Sequence, residues 1–63
     1  MWPFAMYVKQ QVLNLAGEDI WNKYSECIID RCKWICSEDG ITPDRFPEDE
    51  EILSVIKEMM EVV

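Results

Sequence analysis

The sequence has no histidine, only two glycines and no long run of apolar residues. Histidine is the side chain most often used for proton transfer near neutral pH, so its absence argues against general acid–base catalysis. Gly17 and Gly40 stand alone, which excludes a glycine-rich phosphate-binding loop. A helix that spans a membrane needs about 20 apolar residues in succession, and no segment approaches that length. We therefore expect a protein that is not an enzyme, needs no cofactor and does not enter a membrane.

Basic side chains are also few, with six Lys and Arg against thirteen Asp and Glu and a net charge of −7. Proteins that bind the phosphate backbone of nucleic acids need clustered Lys and Arg, so direct nucleic-acid binding is not expected. The acidity is uneven, because residues 38–63 hold nine acids and two bases whereas residues 18–37 hold four acids and three bases. The N-terminus lacks the basic region of a secretion signal, and we expect a cytoplasmic protein.

What the sequence does have is helical periodicity in three segments, at about 4–16, 19–37 and 47–62. The turn-rich stretch between the last two predicts a loop at 38–46. No segment has the alternation of a β-strand. The pattern predicts a single all-α domain, a small bundle of about three helices that is completed by dimerisation.

Prolines and glycines mark the ends of these helices. Pro3 suits a first helical turn, because the N–H groups of that turn have no partner within the helix and proline has no N–H to leave unpaired. Gly17 is expected to close the first helix, and Gly40 lies in the predicted loop. We expect Phe46, at the end of that loop, to pack back onto the helices.

Three cysteines fall within the segment CIIDRCKWIC, residues 27–36. A structural zinc site needs four ligands, and on a helix Cys32 and Cys36 share a face while Cys27 lies on the opposite side. No CxxC redox motif is present, and an odd number of cysteines argues against a disulfide framework. We therefore expect no metal, and we predict that all three cysteines are small apolar residues buried or half-buried in the core.

The second predicted helix is too apolar to be covered easily by two short neighbours. Its apolar residues span roughly 220° of the helix, against about 100° for a helix that faces one neighbour. A domain below about 70 residues usually needs a disulfide, a metal or oligomerisation for stability, which favours a two-fold homodimer here. We predict a dimer or partner interface at Trp21, Tyr24, Ile28, Trp34 and Ile35. The alternative is that these side chains close the core of the monomer.

Two binding functions remain open. The first is a regulatory or interaction protein whose apolar side chains, in the second helix and in the N-terminal segment WPFAMY, contact another protein. The alternative for WPFAMY is a first helical turn folded onto the core. The second function is an acidic nucleic-acid mimic that blocks a DNA- or RNA-binding protein. Its candidate face comprises seven acids, for which a solubilising role is the simpler interpretation: Asp44, Glu48, Asp49, Glu50, Glu51, Glu58 and Glu61.

In size, acidity, predicted helical fold and lack of catalytic residues, the chain resembles the small early-region accessory proteins of bacteriophages. It is similar in length and character to those encoded in the exo–xis segment of lambdoid phages. The resemblance covers the whole chain in size and composition and attaches no role to particular residues. It implies a phage-encoded, host-directed protein in the host cell cytoplasm, which influences the developmental choice of the phage by binding a host protein.

Overall fold

The computed structural model describes residues 3–61, and within them three α-helices pack together. Helix α1 comprises Phe4–Leu15, α2 comprises Glu18–Cys36 and α3 comprises Asp49–Glu61. Every pair of helices is in contact. The predicted all-α bundle of three helices is confirmed, whereas its completion by dimerisation stays a prediction.

Gly17 forms the junction between α1 and α2. Its N–H donates to the carbonyl of Val12 at 3.1 Å, which ends α1, and its carbonyl accepts from the N–H of Trp21 at 3.3 Å, which begins α2. The φ of Gly17 is 94°, a backbone conformation that glycine adopts without the steric cost other residues meet. The chain can therefore turn sharply and start a second helix with no intervening loop.

Helix α3 begins two residues later than the sequence predicts, at Asp49 and not at Pro47. The carbonyl of Glu48 accepts the N–H of Ile52 at 3.0 Å, which places Glu48 at the cap position. The Glu48 N–H donates to Oε1 of Glu51 at 3.0 Å, which is the carboxylate half of a capping box. The predicted C-terminal residue of this helix lies outside the described residues.

The core is built from small and β-branched side chains of all three helices. None of the aromatic side chains in residues 3–61 is buried, although Phe4, Trp21 and Tyr24 pack against the edge of the core. The bundle therefore closes around small residues and leaves its largest apolar side chains at least partly in water. The buried apolar residues are Val8, Val12, Ile28, Cys32, Cys36, Ile52, Val55 and Ile56.

The cysteines divide between the core and the surface. Cys32 and Cys36 are buried as predicted, but Cys27 is exposed, so its predicted burial is wrong. The reason is its position on the side of α2 opposite Cys36, where neither α1 nor α3 covers it. Burial, with the negative charges of Cys36 and Glu51 adding to it, raises the pKa of Cys32 to about 12. Cys32 is therefore a neutral thiol at any physiological pH.

Candidate protein-contact surface

Two large apolar side chains, Trp34 near the C-terminal end of α2 and Ile41 in the loop that follows, are exposed. Trp34 is 61% exposed and Ile41 is 75% exposed. The six-membered ring of the indole lies against Gly40, because a Cβ added there would stand 2.6 Å from two of its carbon atoms. Ile41 follows Gly40 directly in the chain. We call Trp34, Gly40 and Ile41 the Trp34 patch.

The loop that carries Ile41 is held by local hydrogen bonds. Oδ1 of Asp39 accepts the N–H of Ile41 at 2.8 Å and the N–H of Thr42 at 2.9 Å. These two donors, Thr42 first, hold the pKa of Asp39 below its ordinary value. The N–H of Asp44 donates to the carbonyl of Cys36 at 2.8 Å, which ties the end of the loop back to α2. A surface fixed in this way loses little conformational entropy when it binds a partner.

A stripe of side chains spaced by seven residues leads along α2 to this patch. Ile20, Cys27 and Trp34 occupy one line on the helix, since seven residues make nearly two turns. Ile20 is half-buried and packs against the edge of the core, whereas Cys27 and Trp34 are exposed. Lys23 and Asp30, also seven residues apart and both exposed, lie on one flank of this line. We call the line of Ile20, Cys27 and Trp34 the outer stripe of α2.

The five predicted interface residues do not lie on one surface. Trp34 is exposed, whereas Trp21, Tyr24 and Ile35 are half-buried and pack against the core. Ile28 has no exposed surface, so its assignment to an interface is wrong. It lies in the middle of the side of α2 that faces α1 and α3, and a partner could reach it only by opening the bundle.

Glu51 is the member of the predicted acidic face with the most hydrogen bonds inside the chain. Glu51 accepts two hydrogen bonds from the guanidinium of Arg45, at 2.7 Å and 2.8 Å, in addition to the bond from the Glu48 N–H. Arg45, with the Glu48 N–H as the smaller cause, lowers the pKa of Glu51 to about 2. This paired arrangement fixes the end of the loop to the first turn of α3.

Two further acids of that face are also engaged within the chain. Glu58 accepts a hydrogen bond from Nε of Arg31 at 3.2 Å, which links α3 to α2. Oδ2 of Asp44 accepts the N–H of Glu38 at 3.3 Å. The remaining members of the predicted face are exposed, around the start and along the outside of α3: Glu48, Asp49, Glu50 and Glu61.

Phe4 and Tyr7 of the N-terminal segment form an aromatic cluster with Phe46, at the end of the loop that precedes α3. The ring of Phe46 stacks on Tyr7 with centroids 4.4 Å apart and lies 6.1 Å from the ring of Phe4. Phe46 thus packs back onto α1 as predicted, while 41% of it stays exposed. Phe4 and Tyr7 fold toward the bundle, Met6 points to solvent, and the first two residues of WPFAMY lie outside the described residues.

An open groove of about 410 Å³ lies between the end of α2 and the loop. Burial raises the pKa of Cys36, against the opposing charge of Arg45, so the sulfur is a neutral thiol at neutral pH. The guanidinium of Arg45 is already paired with Glu51. The groove therefore presents a weak nucleophile and a neutralised cation. Its lining consists of Ile35, Cys36, Ser37, Glu38, Asp44 and Arg45.

Sequence reasoning missed the exposure of Ile41 and the contact of the Trp34 ring with Gly40. The available signal was the dipeptide Asp39-Gly40, since an aspartate followed by glycine favours a tight turn that the carboxylate closes onto later N–H groups. That signal predicts the turn, but it does not say that the indole of Trp34 rests on it. The contact depends on how the loop folds back over the end of α2.

Comparison of the chain with protein-family models, with curated proteins and with solved structures finds no match. Among residues 3–61, no cluster of three or more cysteine and acidic side chains is placed to hold a metal ion. None of the three described helices has the combination of length and apolar character needed to cross a membrane.

Proposed function

We propose that this chain is a small non-enzymatic regulatory protein that acts as a homodimer through protein–protein contacts made by the outer side of α2. The observation that carries the proposal is the Trp34 patch, a large indole left 61% exposed and supported by the backbone of a hydrogen-bonded loop. Tryptophan is among the residues most enriched at the energetic centre of protein interfaces.

Charge favours α2 over α3 as the surface of self-association. A two-fold dimer brings the same surface of each copy together, so a strongly charged surface repels itself. Helix α3 carries five acids and one base, whereas α2 carries four acids and three bases. Self-contact through α2 therefore brings together nearly neutral surfaces and leaves the acidic faces of α3 on the outside of the dimer.

The size of the apolar contribution indicates a dimer of moderate affinity. A tryptophan buries about 150–250 Å² when fully covered, so the exposed part of Trp34 is worth about 3 kcal/mol at 25 cal/mol per Å². The two indoles of a dimer then supply about 6 kcal/mol, near the lower end of the association cost of about 4–15 kcal/mol. Ile41 and the outer stripe have to contribute as well, and we expect a dissociation constant in the micromolar range.

The resemblance to phage accessory proteins supplies the proposed biological setting. In this proposal the protein is phage-encoded, works in the host cell cytoplasm and binds a host protein once it has dimerised.

The homodimer is tested by sedimentation equilibrium of the wild type and of Trp34→Ala between about 1 and 100 μM, the range in which a micromolar dimer dissociates. Trp34→Ala is expected to weaken the dimer by about 1,000-fold, because each of the two copies loses an interface residue worth about 2 kcal/mol, so the variant should be monomeric over this range. Met60→Ala is the matched control, since Met60 is also 61% exposed but lies on α3. A monomeric wild type, or an equal loss for both variants, would contradict the proposal.

The second candidate is the acidic mimic of nucleic acid, which the exposed carboxylates of Glu48, Asp49, Glu50 and Glu61 favour. Three of the seven acids proposed for that face are engaged within the chain, which leaves it a smaller array than the sequence suggested. Salt separates the two functions, because a mimic should release its partner as ionic strength rises while an aromatic interface should hold it. Affinity capture from a bacterial lysate, washed in parallel at low and high salt, makes this comparison.

A further inference from the structure

We infer that the homodimer is formed by two antiparallel copies of α2 that cross at Cys27, with this residue beside the two-fold axis. The inference rests on the homodimer proposed above and specifies its geometry. It follows from the positions of five exposed or half-exposed side chains on the outer side of α2 and from the charges among them.

The apolar residues of the outer stripe are placed symmetrically about Cys27. Ile20 lies seven residues before it and Trp34 lies seven residues after it. In an antiparallel pair that crosses at Cys27, each residue faces the one equally far along the partner on the other side of the crossing. Ile20 therefore meets the partner's Trp34, and this contact occurs twice in the dimer, once for each indole. The smallest side chain of the stripe lies at the crossing, where the two helices come closest.

The charged residues beside the stripe obey the same symmetry. Lys23 lies four residues before Cys27 and Asp30 three residues after it, and both occupy the same flank of the stripe at about 100° per residue. A two-fold axis perpendicular to antiparallel helices brings like flanks together. Lys23 therefore faces the partner's Asp30, and Asp30 faces the partner's Lys23, which places two opposite-charge pairs along one edge of the interface.

A parallel pairing of the same faces removes these contacts. Its two-fold axis runs along the helices and brings opposite flanks together, so Lys23 and Asp30 of one copy lie on the opposite edge of the interface from those of the partner. The two opposite-charge pairs therefore form only in the antiparallel orientation.

The first experiment cross-links the intact protein with a short bis-maleimide under native conditions. Because Cys27 is the exposed cysteine and Cys32 and Cys36 are buried, the reagent should join two copies through Cys27. The wild type is expected to give a covalent dimer and Cys27→Ser is expected to give none. Sedimentation of the unlinked protein, run alongside, establishes whether it is a dimer at all.

The second experiment reverses the charges. Lys23→Glu and Asp30→Lys should each weaken the dimer about tenfold, the effect of turning two exposed attractive pairs into repulsive ones, and the double variant should regain most of the affinity. Glu26→Lys and Lys33→Glu form the matched control, since this pair is also seven residues apart but lies about 110° from the outer stripe around α2. The control pair should leave the affinity unchanged.

The outcomes distinguish a failure of the antiparallel arrangement from a failure of the proposed homodimer. A wild-type dimer that Cys27 does not cross-link, or whose affinity the double reversal fails to restore, overturns the antiparallel arrangement and leaves the proposed homodimer standing. A wild type that sediments as a monomer overturns both. Cross-linking through Cys27 together with recovery in the double reversal supports the arrangement. Far-UV circular dichroism of every variant confirms that the bundle is folded in each comparison.

Discussion

Replacement of Gly40 with alanine tests how the Trp34 patch is held in place. The φ of Gly40 is 76°, and an L-residue in this left-handed region costs about 1–2 kcal/mol. The new methyl group would also stand 2.6 Å from two carbons of the Trp34 ring, well inside the ~3.5–4.0 Å of ordinary carbon contact. The ring has to rotate away, which costs about 1 kcal/mol for an off-rotamer side chain. We expect Gly40→Ala to lower the free energy of unfolding by about 2–3 kcal/mol.

Gly17→Ala separates backbone strain from the contact with the ring. Gly17 also has a positive φ, of 94°, but a Cβ added there meets nothing within 4 Å. Its cost of about 1–3 kcal/mol should therefore come from the backbone alone. In a Trp34→Ala background, Gly40→Ala should become about 1 kcal/mol less costly, whereas the cost of Gly17→Ala should not change.

Urea unfolding followed by far-UV circular dichroism measures these free energies, at a protein concentration low enough for the chain to be monomeric. The quantity of interest is the coupling between Gly40→Ala and Trp34→Ala, which cancels any separate effect of losing the indole. A coupling near zero would show that the ring does not rest on Gly40. An equal coupling with Gly17→Ala would show that Trp34 acts on the whole bundle and not through the loop.

Two further predictions concern the ion pair and the cysteines. Arg45 holds the pKa of Glu51 at about 2, below its ordinary 4.5, so the pair stabilises the fold at neutral pH and this contribution fades as the pH falls from about 4.5 to about 2. Glu51→Gln should therefore lower stability at pH 7 more than at pH 3 in urea unfolding, and equal losses would contradict the pairing. Cys32→Ser places a hydroxyl group in the core and should cost about 1–3 kcal/mol, whereas Cys27→Ser should stay within about 0.5 kcal/mol. Equal costs, measured in the same way, would contradict the different burial of the two thiols.

The helices could be predicted from the sequence because their signals are local. Apolar residues repeat at the helical period, and Gly17 and Pro3 mark positions where the backbone must turn or start. The start of α3 was predicted too early because its cap is atypical. Glutamate is not among the residues that favour the cap position. In the usual capping box a serine or threonine side chain at the cap forms one hydrogen bond and the glutamate three residues later forms the other, and here it is the Glu51 carboxylate that accepts the N–H of the cap residue Glu48.

The surface could be predicted only in part, because exposure depends on where the neighbouring helices lie. An apolar arc of about 220° on α2 includes both Ile28 and Trp34, and the pattern does not say which part of the arc α1 and α3 cover. The bundle covers the side with Ile28 and leaves Cys27 and Trp34 in water. The two errors on α2, the buried Ile28 and the exposed Cys27, both come from this one missing piece of tertiary information.

The division between a core of small side chains and a surface of large ones separates folding from association in this chain. The buried set of valines, isoleucines and cysteines is complete without Trp34, Ile41 or Cys27, so the bundle does not need the outer side of α2 to close. Trp34→Ala should then weaken binding far more than it lowers the stability of the bundle. A cavity in the core should instead destabilise the bundle, and binding should be lost with the fold. Large exposed apolar side chains grouped on one surface are typical of a site that a partner covers. This is the physical reason to look for the function of the chain on α2.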